Sequence, residues 1–529
     1  MSRSYTTESG PRDYNAAVAA LNTLQSNFSA VEAIKKLGPG WNKQALPEMR
    51  EYARRIGYES SDFDRLNPIH IAGTKGKGST SSFISSILSQ YLPTKRSIHA
   101  ERLPSSVGLY TSPHLRFVRE RIKIDNQPIS EELFAKCFWE LWDRLEATTP
   151  PTPSSAVAIS QRGNAAGKPV YFHYLTLMAL HCYLQQAVGT AVIECGIGGE
   201  YDTTNILVKP SVTGVTSLGI DHESLLGDTI ESIAWHKGGI FKEGVPAFTV
   251  AQPEKALEVL RERAKERQTE LFVVPRHQAL EGMKLGLQGE FQNVNASLAV
   301  AISAMHLQRL GFNGVPDPYD SVSALPQEFM TGLESARLGG RCDMRQDTKC
   351  DNLTWYIDGG HTLESIEMAG RWFASSVATG PDATSTTRIL IFNQQTRDAS
   401  TLARRLHHTL ASASGNSSEV NSQLFQHAIF CPNTTYKDAG YKADLVSMNT
   451  NQHDIASLKV QNELATTWEQ IDAEADVSVV GTIEEAVGRA REVAESGRQV
   501  EVLVTGSLHL VGGLIEILES EVEKGDSRL

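Results

Sequence analysis

Apolar and polar positions come in blocks whose spacing changes along the chain. YNAAVAALNTLQSNFSAVEAIKKL has apolar residues at helical spacing and predicts an amphipathic helix followed by a second helical piece. NPIHIAG then predicts a short buried strand. STSSFISSILSQY predicts a helix whose Phe83, Ile84, Ile87, Leu88 and Tyr91 share one face. Further apolar runs end in polar or glycine-rich turns: TAVIECGIGG, SVTGVTSLGIDH, VPAFTVAQ and LFVVP, with helix-like segments at 171–186 and 230–240 between them. Strands alternating with helices predict a parallel, doubly wound sheet. PQEFMTGLESARLGGRCDM reads as a passage between domains. The pattern then restarts with TWYIDGGHTLESIEMAGRWF, RILIFNQQ, HAIFCPN and VEVLVTGSLHLVGGLIEIL. Segments 148–168, 374–387, 411–422 and 448–461 are rich in Ser, Thr, Asn, Gly and Pro and read as polar surface insertions without chemistry. There is no internal repeat.

With 529 residues, 40% of them hydrophobic, the chain can bury more than one core, so two or three domains are expected. Fifty Lys and Arg against 62 Asp and Glu give a net charge of −12. That argues against a general nucleic-acid binder, which must neutralise phosphates. It does not argue against an anionic small substrate held in a local positive field. The six cysteines are far apart and form no CxxC pair, as expected of a reduced compartment. No run of 18 apolar residues suggests a membrane span. The start, MSRSYTTESGPRDY, lacks the apolar core of a secretory signal, which points to the cytosol.

The unusual polar residues fall at predicted strand ends: Gly73 to Ser79 after the first, Glu194 in the second, Asp221 and His222 after the third, and Asp358 and His361 where the pattern restarts. Open α/β sheets bind ligands beyond the carboxyl ends of their strands. HIAGTKGKGST is the densest of these stretches. A glycine-rich turn between strand and helix offers backbone N–H groups, and the helix N-terminus adds positive potential. Lys77 would face phosphate, and Ser79 or Thr80 would supply a metal-side hydroxyl. The spelling departs from the common G-x-x-x-x-G-K-[ST] loop, because Gly73 is three residues before Gly76 and Gly78 separates Lys77 from Ser79. Glu194 ends an apolar strand, where a charge is costly unless it is paired or binds a cation. It is therefore a candidate magnesium ligand.

GTKGKGST resembles the G-T-x-G-K-G-S loop of the Mur ligase superfamily and, within it, of the folylpolyglutamate synthases. The resemblance continues in order through LNTLQSN, GLYTSPHL, RERIKIDNQPIS, ECGIGGEYDTTN, GIDHESLLGDTIESIAWHKGGIFK, GEFQNVNASLAVA, DGGHT and VTGSLHLVGG, nearly the whole chain. LNTLQSN, NQQTRD, HAIFCPN and TGSLHLVGG look like the eukaryotic branch. Two spellings depart from the bacterial pattern: GEFQ (289–292) where GxHQ is common, and DGGH where DGAH is common. Neither removes a charged group that the family chemistry needs.

The resemblance implies an α/β, two-domain, Mur-ligase-like fold. Residues 1–335 would form an ATP- and folate-binding domain on a P-loop ATPase-type parallel sheet. Residues 336–529 would form a smaller Rossmann-like glutamate-ligase domain. It implies ATP-dependent ligation of L-glutamate to the γ-carboxylate of tetrahydrofolyl-(poly)glutamate through an acyl phosphate. Two other ligases remain as alternatives: a dihydrofolate synthase using dihydropteroate, and a cell-wall Mur ligase, against which TSPHL and LNTLQSN speak. A non-catalytic nucleotide-binding regulator is the alternative from outside the enzymes.

For the site, the resemblance assigns ATP to Gly73, Thr74, Lys75, Gly76, Lys77, Gly78, Ser79, Thr80, Gln292, Asn295, Arg341 and Asp358. It assigns magnesium to Ser112, Glu194, His222 and Lys237, and catalysis to Lys77, Lys237, Asp358 and His361. By composition alone TSPHL is a Ser-Pro turn, Lys237 an exposed helix-end lysine, and DGGHT a turn with His361 as a helix cap. In the family, the lysine at the position of Lys237 is carbamoylated, which requires a neutral amine. A potassium ion, a monomeric state and a mitochondrial pool beside the cytosolic one complete what the family suggests.

Overall fold

The computed structural model describes residues 11–26, 38, 42–92, 105–148, 167–377, 386–395, 397–413, 424–437, 444 and 457–526. The second helical piece read in 28–37 and most of the four polar insertions lie outside the described residues. The chain divides into two compact units. One holds Met1–His114, Val118–Gly286 and Glu290–Arg337; the other holds Leu115–Phe117, Leu287–Gly289 and Leu338–Leu529.

The first unit is built on an eight-stranded sheet. Its strands are β1 (Ile69–Ala72), β2 (Val107–Tyr110), β3 (Ile122–Ile124), β4 (Gln127–Pro128), β5 (Thr190–Glu194), β6 (Val212–Val215), β7 (Ala247–Thr249) and β8 (Leu271–Val273), in the order β4-β3-β2-β5-β1-β6-β7-β8. From β2 to β8 all neighbours are parallel. β3 and β4 add an antiparallel margin. The turn between them places Asp125 and Asn126 at φ 50° and 65°, the left-handed pair that suits a tight hairpin.

The helix Lys77–Ser89 ends before Tyr91, and burial is not confined to the face of Phe83, Ile84, Ile87 and Leu88: every residue from Ser79 to Leu88 is buried. β1, β2 and β5 cover one side, and the helices Gln292–Arg309 and Gln327–Ser335 cover the other. Phe83, Ile84, Ile87 and Leu88 are fully buried, each contributing about 1.5–3 kcal/mol. The serines of the opposite face keep the neighbours close: Ser86 Oγ lies 3.1 Å from Ser335 Oγ. A Cβ on Gly332 would stand 2.5 Å from Ile87 Cα, so the two helices meet backbone to backbone.

The second unit carries β9 (Asp343–Gln346), β10 (Leu353–Ile357), β11 (Thr387–Phe392), β12 (His427–Phe430), β13 (Asp476–Val479) and β14 (Val500–Thr505), in the order β13-β12-β11-β14-β10-β9. All pairs are parallel except β9 with β10. Its core gathers Trp355, Ile389, Val502 and Val504 with Leu510, Leu514 and Ile515 from the last helix.

The passage read in 326–344 is mostly structured. Gln327–Ser335 is a helix of the first unit and Asp343–Gln346 an edge strand of the second, leaving a short link at 336–342. The polar insertions also end sooner than expected. Lys168 is buried, 2.8 Å from Glu146 and over the ring of Trp142. Gln461 is buried within the helix Lys459–Ile471. Lys168 is held there by Glu146 and the Trp142 ring, and Gln461 by donating its Nε2–H to Asn393. All six cysteines are free and only Cys350 is partly exposed. Among the described residues no helix is long and apolar enough to cross a membrane.

Candidate active site

Strand register assembles the first cluster. β1 pairs Ile71 with Glu194 of β5 and Ala72 with Val215 of β6, while β2 pairs Tyr110 with Ile193 of β5. The carboxyl ends of β2, β5, β1 and β6 therefore lie side by side. They carry Ser112, Glu194, the Gly73–Thr80 loop and the Thr216–His222 segment respectively.

The glycines of the loop are where the close approaches occur. Gly73 has φ 151°, and a Cβ there would overlap Thr216 Oγ1 at 1.8 Å. Gly76, at φ 85°, is the N-cap of the helix Lys77–Ser89, and a Cβ there would meet Asn295 Oδ1 at 2.1 Å. The short Gly73–Gly76 spacing is thus fixed by β6 on one side and by the helix Gln292–Arg309 on the other. The N–H groups of Thr74 and Lys75 both donate to Ser217 O at 3.1 Å, tying the loop to the end of β6. Gln292 donates to Ser79 Oγ at 3.3 Å and Asn295 donates to Gln292 Oε1 at 2.8 Å, both from buried side chains. Gly76→Ala is expected to cost about 1–2 kcal/mol for the left-handed conformation alone, with the Asn295 overlap added. Thermal unfolding and nucleotide titration would check this: a variant with wild-type melting and affinity would contradict it.

Two ammonium groups converge on one carbonyl. Lys77 Nζ donates to Gly73 O at 3.1 Å, and Lys237 Nζ donates to the same oxygen at 2.8 Å. Lys237 is only 3% exposed, unlike the exposed helix-end lysine that composition suggests. Burial, then the positive charge of Lys77, lower its pKa from 10.5 to about 7. Glu194, also 3% exposed, accepts from Ser112 N–H at 3.3 Å, at the cis Ser112–Pro113 bond. His222 stands apart in character. Its side chain is 39% exposed, its backbone is left-handed at φ 54°, and its N–H donates to Asp221 Oδ1 at 2.8 Å. Among the described residues no three His, Cys, Asp or Glu side chains gather as a metal site.

Asp202 is a further residue of this cluster, outside the set that the family resemblance assigns. This fully buried carboxylate accepts the N–H groups of Gly196, Ile197 and Thr204, each at 3.0 Å, and so folds the loop that follows Glu194. Burial raises its pKa while those hydrogen bonds oppose the shift. An Asp two residues before a Thr in YDTTN is an Asx-turn signal that reveals it.

In the second unit, Asp358 follows β10 and is buried. Its Oδ2 accepts from Cys342 N–H at 3.0 Å and its Oδ1 from Gly360 N–H at 2.8 Å. Burial raises its pKa, opposed first by the charge of Arg341 and then by those N–H groups. His361 Nδ1 lies 3.0 Å from Gly359 O. Thr362, not His361, caps the helix Leu363–Ser376. Two strands away from Asp358 in the same sheet, the ends of β11 and β12 and the helix Lys459–Ile471 carry an amide chain absent from the expected site: Gln461 donates to Asn393 at 2.8 Å, and Asn393 to Asn433 at 2.9 Å.

Two α/β units on mainly parallel sheets, the first with a strand–glycine loop–helix cradle at its sheet's carboxyl edge, give the chain a Mur-ligase-like fold. A family model for the C-terminal domain of dihydrofolate synthetase matches residues 341–517. A folylpolyglutamate synthase of Saccharomyces cerevisiae is 46% identical over 512 residues, covering 96% of this chain and 87% of that protein. Among solved structures, Mycobacterium tuberculosis folylpolyglutamate synthase complexed with ADP and AMPPCP is similar with a TM-score of 0.63 at 20% identity, covering 95% of this chain and 99% of that one. An FPGS–AMPPCP–folate complex is similar with a TM-score of 0.61 at 21% identity, covering 93% and 99%. The chain belongs to the folylpolyglutamate synthase family.

Proposed function

We propose that this chain is an ATP-dependent ligase that joins L-glutamate to the terminal γ-carboxylate of tetrahydrofolyl-(poly)glutamate. The observation that carries the chemistry is the convergence of Lys77 and Lys237 on Gly73 O beside the buried Glu194. An oxygen of the γ-carboxylate attacks the γ-phosphorus of ATP, ADP leaves, and an acyl phosphate results. The amine of glutamate then attacks the activated carbonyl, and phosphate departs as the amide forms. Lys77 and the first N–H groups of the helix Lys77–Ser89 stabilise charge on the transferring phosphoryl group. Gln292, Asn295 and Arg341 hold the nucleotide. Asp358 and His361 serve the nucleotide and the incoming glutamate.

Glu194, Ser112 and a carbamate on Lys237 would offer the oxygen ligands that magnesium takes, while His222 offers a nitrogen and joins the set on the family resemblance alone. When bound, magnesium neutralises phosphate charge during transfer. The depressed pKa of Lys237 supplies the neutral amine that carbamoylation needs. Nζ bonds to the carbon of carbon dioxide and releases a proton, leaving a carboxylate. Potassium dependence, a monomeric state and a cytosolic location with a mitochondrial pool belong to the same reading.

The dihydrofolate synthetase description of the matched C-terminal region favours a second reading, with dihydropteroate as acceptor. Labelled glutamate separates the two. Tetrahydrofolate is expected to accept it in an ATP-dependent way and dihydropteroate is not. The opposite preference would make this a dihydrofolate synthase with the same ATP site.

A further inference from the structure

The end of the helix Ile230–Gly238, which carries Lys237, is held from outside the cluster of proposed ligands. Glu200 N–H donates to His236 O at 2.6 Å. A Cβ on Gly199 would meet His236 O at 2.6 Å and Lys237 Cα at 3.0 Å, and one on Gly239 would meet Glu200 Cα at 2.4 Å. Loop and helix end therefore touch backbone to backbone. Asn205 Nδ2 spans them, donating to Glu200 O at 3.1 Å and Gly239 O at 3.2 Å.

The side chain of Glu200 turns to the helix Glu254–Glu266. It pairs with Arg263, and Arg267 approaches it at 3.3 Å. Arg263 is 6% exposed, its guanidinium lies 4.6 Å over the ring of Trp235, and its stem packs on Gly238. Trp235, His236, Lys237 and Gly238 are consecutive, so Arg263 grips the helix on both sides of Lys237. The gripped loop is the one that begins at Glu194.

We infer that Glu200 and Arg263 form a positioning pair that sets Lys237 against Gly73 O and in register with Glu194, so that carbon dioxide adds to Nζ where the reaction needs the product. The inference rests on the reading of Lys237 as the carbamoylated lysine. A pair with one nearly buried partner is weak as a stabilising device, because desolvation offsets most of the attraction; its effect lies in fixing geometry.

The test compares Glu200→Gln, Arg263→Met, the two combined, and Lys237→Ala. The measurements are kcat, the KM for ATP, and carbamate occupancy followed by ¹³C NMR as ¹³C-bicarbonate is added. Each single change is expected to lower kcat by about 10- to 100-fold with KM for ATP within about twofold, and to raise the half-saturating bicarbonate. The combined variant should be no worse than the poorer single one, because the pair acts as a unit. Arg263→Lys should recover part of the occupancy, keeping charge but losing the planar fork. Normal kcat and bicarbonate response per folded molecule, with only a lower melting temperature, would overturn the inference. If Lys237→Ala is inactive while Glu200→Gln is normal, the positioning pair fails alone. If Lys237→Ala keeps full rate, the reading of Lys237 fails and takes the pair with it.

Discussion

Lys77→Ala is expected to remove glutamate ligation, by about 10³-fold or more, while leaving the fold intact. The magnitude is that of removing a principal charge-stabilising group from a phosphoryl transfer. The fold should survive because Lys77 opens its helix, its ammonium meets only a loop carbonyl in the hydrogen bonds described above, and the apolar packing lies farther along at Phe83–Leu88. A second effect follows from geometry. The charge of Lys77 is the largest cause after burial of the low pKa of Lys237. Removing it should raise that pKa, so carbamate uptake in Lys77→Ala protein should require a higher pH. Circular dichroism, a single-turnover assay and bicarbonate titration together check this. A folded variant with near-normal turnover would sink the phosphate assignment of the loop.

Lys237→Ala is expected to be as damaging, and its chemistry is distinctive. With a pKa of about 7, half of the amine is neutral near pH 7, where an ordinary lysine would be neutral roughly a thousandfold less often. The sign is clear. The reactive amine is present above about pH 7 and lost as pH falls below it, so carbon dioxide uptake should fail on the acid side. Lys237→Arg should not restore activity, since guanidinium stays protonated. Acetate should partly rescue Lys237→Ala by placing a carboxylate in the vacated space. The decisive comparison uses protein stripped of carbon dioxide at low pH and returned to neutrality, assayed with and without bicarbonate. A fully active Lys237→Arg would overturn the carbamate and leave Lys237 as a buried cation on Gly73 O.

Much of this architecture is written in the apolar runs. β1, β5, β6 and β7, and later β10, β11, β12 and β14, coincide with mostly apolar, mostly buried runs, as parallel sheets require, and β8 is a half-buried edge strand that its LFV still marks. The strands that escaped notice are mostly marginal ones. β9 is DMRQ and β13 is DVSV, edge strands whose charges suit solvent and erase the apolar signal. β3 and β4 lie in RIKIDNQPIS, where the Asp125–Asn126 turn was the available cue. β2 is only VGLY and sat unread before the TSPHL motif. In the site, spacing located the loop and the strand-end residues but said nothing about burial. A helix-end lysine looks the same in sequence whether it meets water or, like Lys237, a carbonyl in a closed interior. Asp202 depends on loop geometry and the Glu200–Arg263 pair on a contact between residues 63 apart, neither of which period alone encodes.

The buried setting of the helix Lys77–Ser89 also bears on affinity. With Ile87 against the backbone of Gly332 and neighbours on both sides, the helix has little freedom left to lose when a nucleotide arrives. Its first N–H groups are ordered during folding, so the entropic cost of arranging them is met before binding rather than deducted from it. The phosphate recognition proposed for this loop would therefore be partly a property of distant packing: a bulkier residue at Gly332, far along the helix from the loop, is expected to weaken nucleotide binding by loosening the platform on which the loop stands.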